Sequence, residues 1–160
     1  MRTAYHRAFG LDDLLDRAGD LAAKTIVLDV EPLIAYWGND QEPLDRGVAR
    51  VAKAAAAVPG VAVVCFATNS ARRPSAVPDQ AGVRVVYLAS AGKPLRTAPY
   101  AGFPKPGVVI GDQVATDGVL AWRLGYAYLD YWPPWSGAPW GPRLLNFGGR
   151  VLRPLLFTGS

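Results

Sequence analysis

The chain has 160 residues, is 51% hydrophobic and 19% charged, and carries a formal net charge of +4. That balance excludes general disorder and fits one domain of ordinary size with a core of its own. The single cysteine, Cys65, excludes an internal disulfide and a cysteine-based zinc site, and no uninterrupted apolar run reaches bilayer length.

The N-terminus, Met1 to Arg7, lacks the apolar stretch of a signal peptide, so a cytoplasmic location is expected. The only histidine, His6, falls in what reads as a loose terminus and is given no role. Residues 11–19 place Leu11, Leu14, Leu15 and Ala18 on one helical face. Thr25–Val30 reads as a first strand. Leu44 to Val58 repeats Val48, Val51 and Ala55 at helical spacing and is ended by Pro59-Gly60. Val61–Ala67 is nearly all apolar, as expected of a strand covered on both faces, and its Cys65 reads as a buried, inert thiol. Val83–Leu88 is a third strand. Gly92 to Tyr100 reads as a short helix interrupted by Pro94 and Pro99. Val108–Ile110 is a fourth strand, Val114–Leu124 a helix, and Tyr126–Leu129 a fifth strand. Strands alternating with helices predict an α/β fold, a Rossmann-like three-layer sandwich around a five-stranded parallel sheet, over residues 1–130.

Residues 131–160 differ in character. They hold no acid, keep Arg143, Arg150 and Arg153, and carry Tyr131, Trp132, Trp135, Trp140, Phe147 and Phe157. Between Leu144 and Leu156 the leucines fall on one helical face and the arginines on the other. Two readings of this extension stand side by side: it packs on the domain, or it lies on a membrane surface. No nucleic-acid partner is expected, since arginine is sparse and no binding motif occurs.

Four polar clusters fall where the predicted strands end: Asp29-Val30-Glu31, Thr68-Asn69-Ser70, Lys93-Pro94, and Asp112 with Asp117. In a parallel sheet these ends converge on one edge, the edge where open α/β sheets bind ligands. Paired carboxylates there suit a hard cation such as Mg²⁺. A carboxylate can serve as nucleophile through an aspartyl-phosphate, while hydroxyl, amide and ammonium groups hold phosphoryl oxygens. Arg72 and Arg73, just beyond, read as an ordinary exposed basic pair.

The order acid-x-acid, Thr-Asn, Lys-Pro and Gly111-Asp112-Gln113-x-x-Thr116-Asp117 resembles the haloacid dehalogenase-like (HAD) phosphatase superfamily. Within it, Lys93-Pro94 followed by the Gly111–Asp117 motif and Gly125 is most similar to the YqeG-like branch, which is related to phosphatidylglycerophosphatases. The resemblance spans residues 11–155. It implies a Mg²⁺-dependent phosphate monoester hydrolase in which Asp29 attacks phosphorus and ligates the metal. Glu31 would protonate the leaving group, activate water and offer its backbone carbonyl to the metal. Thr68, with Asn69 beside it, would bind the phosphoryl group, and Lys93 would neutralise nucleophile and phosphate. Asp112 would ligate the metal, and Asp117 would orient Lys93 or a water on the metal. The phosphorylated substrate this implies is a bulky one, with phosphatidylglycerophosphate the first candidate.

The first motif departs from the family's Asp-x-Asp-Asn-Thr-Leu, reading Asp29-Val30-Glu31-Pro32-Leu33-Ile34. Glu31 is one methylene longer than Asp, Pro32 lacks a backbone N–H, and Leu33 replaces a hydroxyl residue. A non-catalytic HAD-fold protein that binds a phosphorylated ligand is therefore the alternative to the enzyme. Only one helix-length segment separates Glu31 from Thr68, so no inserted cap domain is expected and the site should be open.

Overall fold

A computed structural model describes residues 3–35, 40–132 and 153–158. Its centre is one parallel sheet. The strands are β1 (Thr3–Ala8), β2 (Thr25–Asp29), β3 (Val63–Ala67), β4 (Arg84–Leu88), β5 (Gly107–Gly111), β6 (Ala127–Tyr131) and β7 (Phe157–Thr158). They lie in the order β4-β3-β2-β5-β6-β1-β7, and every paired neighbour is parallel. Residues of β2, β3 and β5 are buried throughout, which is why their sequences run apolar without alternation. The edge strand β4 is only partly covered, with Tyr87 its one buried residue.

Helices α1 (Leu11–Asp20) and α2 (Gln41–Ala56) cover one face. Leu14, Leu15, Leu44, Val48 and Val51 pack there against Ile26, Leu28, Val64, Phe66 and Ile110. The residues between those on the same strands, Val27, Val63, Cys65 and Val109, face the opposite side. There they meet Tyr100, Phe103, Val114, Leu120 and Ala121. The opposite side is covered by a 3₁₀ turn (Ala98–Tyr100), a π-helical turn (Val114–Gly118) and the short helix α3 (Val119–Leu124). Gly125 ends α3 in the left-handed region, at φ +67°, where a side chain would be strained.

The layered α/β expectation holds, and several details change. Among the described residues the sheet has seven strands, not five. The N-terminal segment that read as loose is β1, with Tyr5 in register with Tyr128. Its pairing partner lies more than a hundred residues away, so no local pattern reveals it. β7 adds two residues on the far side of β1. The helix expected over Gly92–Tyr100 reduces to the 3₁₀ turn, with Pro99 in its first positions. α2 begins at Gln41, not Leu44, because Pro43 sits in the first helical turn, where its missing N–H has no helical partner to lose. Between β3 and β4 the chain runs as turns and extended segments, closed by an isolated bridge between Gln80 and Val83.

The amphipathic pattern expected between residues 143 and 156 lies largely outside the described residues. The described end of the extension packs on the domain. Phe157 is buried against the rings of Tyr5 and Tyr128, at 5.8 and 5.5 Å between centroids. The Arg153 guanidinium sits 4.3 Å over the Tyr5 ring, and Arg7 sits 4.5 Å over Trp132. Among the described residues, no helix is long and apolar enough to cross a membrane.

Candidate functional site

Parallel pairing brings the ends of β3, β2 and β5 side by side, and with them Thr68, Asp29 and Asp112. Lys93 arrives from the segment after β4, which stays paired beyond the strand: Ala91 N–H donates to Thr68 O at 2.8 Å and Ser90 N–H to Ser70 O at 2.7 Å. Asn69 then fixes the Lys93 backbone from both sides. Its Oδ1 accepts from Lys93 N–H at 2.7 Å and its Nδ2 donates to Lys93 O at 3.0 Å. The Glu31–Pro32 and Lys93–Pro94 peptide bonds are both cis.

The Lys93 ammonium lies between two carboxylates, 2.8 Å from Asp29 Oδ1 and 2.7 Å from Asp117 Oδ1. All three residues are buried. Burial works against the Lys93 charge, but Asp117 and Asp29 outweigh it and raise its pKa, so Lys93 is an ammonium at any physiological pH. Asp29 Oδ1 also accepts from the Val30 N–H at 2.8 Å. Both contacts fall on Oδ1.

Asp112 differs from its neighbours. It is 2% exposed, and neither carboxylate oxygen has a hydrogen-bond partner. Burial, then the Asp117 carboxylate, pushes its pKa up to about 8. Asp29 is raised as well, by burial and then by Asp117, with Lys93 pulling the other way. One oxygen from each of Asp29, Asp112 and Asp117 can be chosen so that all lie within 4.8 Å of one another. Three carboxylates against one ammonium leave the cluster short of positive charge. The donors are all oxygen, which fits a hard divalent cation such as Mg²⁺ rather than a nitrogen- and sulfur-loving one. The orphaned oxygens of Asp112 are what such an ion would satisfy.

Gly111 permits this geometry. A Cβ built at that position would fall on the Asp117 carboxyl group. Asp117 is carried by the π-helical turn, and its own N–H donates to Gln113 O at 2.8 Å. Above the cluster lies a cavity of about 250 Å³ lined by Asp29, Glu31, Thr68, Lys93, Gln113 and Thr116, among others.

The structure thus brings together all seven residues singled out in the sequence, though in different ways. Asp29, Lys93, Asp112 and Asp117 form the buried cluster. Asn69 braces Lys93. The Glu31 carboxylate stands apart from the acidic cluster: it accepts from Thr68 Oγ at 2.6 Å and Ser70 Oγ at 3.3 Å. Arg72 is not merely an exposed surface residue; its guanidinium lies 3.9 Å from Glu31 Oε1. Gln113 and Thr116 were motif letters without a role and prove to line the cavity.

Behind the cluster is a set that sequence reading missed. The Tyr128 hydroxyl donates to Gly111 O at 3.0 Å, with Asp130 Oδ1 3.4 Å away as an alternative acceptor. Asp130 Oδ2 accepts from Tyr5 at 2.5 Å and from Arg7 Nε at 2.9 Å. These four residues share one face of β1 and β6, and only the missed β1 pairing joins them.

Fold and site together define the class: a Rossmann-like α/β protein with a single parallel sheet, whose strand ends hold a buried lysine–carboxylate cluster. Compared with family models, curated proteins and solved structures, the chain matches none.

Proposed function

We propose that the chain is a Mg²⁺-dependent phosphate monoester hydrolase of the HAD-like superfamily, without a cap domain, acting through an aspartyl-phosphate. The observation that carries this reading is Asp112: a buried carboxylate with two unpartnered oxygens, next to a nucleophile candidate already paired with a lysine.

In this reading Lys93 and the Val30 N–H hold Asp29 Oδ1 and leave Oδ2 to attack phosphorus. The bond from phosphorus to the leaving oxygen breaks, and Glu31 supplies the proton that oxygen needs. Glu31 then takes a proton from water, whose oxygen attacks the phosphorus of the aspartyl-phosphate; the bond from phosphorus to Asp29 Oδ2 breaks, inorganic phosphate leaves and the Asp29 carboxylate is restored. Asp29, Asp112 and Asp117 would hold Mg²⁺, which neutralises charge developing on the phosphoryl oxygens. The cavity has room for a phosphoryl group. A bulky phosphorylated substrate such as a phospholipid precursor is the first to try, with residues 131–160 as a candidate membrane contact.

A second reading, a non-catalytic protein binding a phosphorylated ligand, is favoured by one observation. Glu31 is already bonded to Thr68, the residue expected to bind phosphate. Assay of the wild type, Asp29→Asn and Glu31→Asp against phosphate monoesters with Mg²⁺ separates the two. The enzyme reading expects turnover that Asp29→Asn reduces to background; turnover surviving that substitution refutes the mechanism. A silent wild type with activity gained in Glu31→Asp establishes the second reading.

A further inference from the structure

The contacts around Glu31 describe a seat for an anion. Thr68 Oγ accepts from the Ser70 N–H at 3.0 Å, and Ser70 Oγ accepts from the Arg72 N–H at 3.3 Å. Each hydroxyl therefore takes a backbone N–H from behind and has its own proton to present in front. Both protons are within reach of the Glu31 carboxylate, one oxygen each, with Ser70 Oγ at 3.0 Å a more distant acceptor for Thr68, and Arg72 Nη1 lies 3.9 Å from the same carboxylate. Two aligned hydroxyl donors and a guanidinium are what a phosphoryl group also requires.

The seat is preformed. The loop that carries Ser70 and Arg72 is pinned to α2 a few residues further on. Ser75 donates to Asp45 through its N–H at 2.8 Å and its hydroxyl at 2.7 Å, and Gln41 Nε2 donates to Arg73 O at 2.8 Å. Both Thr68 and Ser70 line the same cavity as Asp29 and Lys93.

We propose that Thr68 and Ser70, with Arg72 at the rim, form the phosphate-binding seat of this site, and that the Glu31 carboxylate is its resident ligand, which an incoming phosphate displaces. This rests on the phosphate reading above and adds Ser70, Arg72 and the competition to it. A phosphoryl group that takes the two hydroxyls releases Glu31 into the cavity beside it, where a proton donor to a leaving oxygen has to stand. Glu31 thus lowers affinity for phosphate while remaining available for the chemistry.

The test is the affinity of inorganic phosphate in the presence of Mg²⁺, by calorimetry, for the wild type, Glu31→Ala, Glu31→Asp, and Ser70→Ala in both the wild-type and Glu31→Ala backgrounds. Melting temperatures of the same proteins report whether each is folded. Glu31→Ala should bind about tenfold tighter, the size of one charge-assisted hydrogen bond no longer competing. Glu31→Asp keeps the charge but is one methylene shorter, and should also bind tighter than wild type. Ser70→Ala should weaken binding about tenfold in the Glu31→Ala background and much less in the wild type, where Ser70 serves both ligands. Tighter binding by Glu31→Ala with no change in Glu31→Asp would mean repulsion between charges alone and overturns the seat. Unchanged or weaker binding in both Glu31 variants overturns it too, as does absence of phosphate binding in every protein. Because no turnover is read, an inactive wild type with the expected affinity pattern leaves this inference standing while the hydrolase reading falls.

Discussion

Raising the pH in the absence of divalent cations should destabilise this protein, and Mg²⁺ should restore the loss. Asp112 is the reason. Its folded pKa is raised to about 8 by burial and by Asp117, against an ordinary value of 3.8. A carboxylate whose folded pKa lies above its unfolded one stabilises the fold fully below the unfolded value, and that stabilisation is lost as pH rises through the folded value. Between pH 5 and 8 the loss is about 1.4 kcal/mol per unit, or on the order of 4 kcal/mol in total. Asp29 is raised too and acts in the same direction. Lys93 contributes no slope in this window, because it is charged in both states. A cation takes the place of the proton, so its binding strengthens with pH across the same window. At a hundredfold excess over its dissociation constant, Mg²⁺ would add about 2.7 kcal/mol, a rise of roughly 5–10 °C in melting temperature for a chain of this length. The assay is thermal melting at pH 5 and pH 8, in EDTA and in Mg²⁺, for the wild type and Asp112→Asn. The variant cannot titrate at that position, and should lose the Asp112 share of the pH slope, leaving that of Asp29, and most of the Mg²⁺ shift. A wild-type melting temperature at pH 8 that ignores Mg²⁺, and is no lower in EDTA than at pH 5, refutes the reasoning.

Three further outcomes follow from the same geometry. Gly111→Ala puts a methyl group on the Asp117 carboxyl, and should abolish measurable Mg²⁺ binding by calorimetry while the far-ultraviolet circular dichroism stays native. Tyr128→Phe leaves the buried Gly111 carbonyl without that donor and should cost about 1–3 kcal/mol in urea unfolding; unchanged stability would show that the carbonyl needs no support. Phe157→Ala empties the site between Tyr5 and Tyr128 and should cost about 3–5 kcal/mol in urea unfolding, with the loss absent if β7 adds nothing to the sheet.

The candidate site was legible in the sequence because strand ends announce themselves. Apolar runs of strand length, each followed at once by a polar cluster, place Asp29, Thr68 and Asp112 at one edge of any parallel sheet built from them. Lys93 was harder, since four residues lie between it and Leu88 at the end of β4, and it is set in position by the Asn69 amide and by the Ser90 and Ala91 backbone pairing to Ser70 and Thr68. The partners of Glu31 were not legible. Its type and position suggested a proton donor, and nothing in the spelling of Asp29-Val30-Glu31 says that its carboxylate reaches Thr68 and Ser70.

Local chemistry, then, was enough to determine the layered α/β class and the acidic composition of the edge. Hydrophobic runs, turn-forming Pro-Gly pairs and helical spacing act over ten or twenty residues, and each can be read in isolation. Tertiary structure alone decided what is paired with what. β1 joins the sheet through Tyr5 and Arg7 because Tyr128 and Asp130, more than a hundred positions away, offer a matching face. Lys93 is shared between Asp29 and Asp117, and Asp112 is left without a partner, because burial brings three carboxylates around a single ammonium. Such pairings depend on which side chains meet in a low-dielectric interior, a property of the assembled sheet and not of any one segment of the chain.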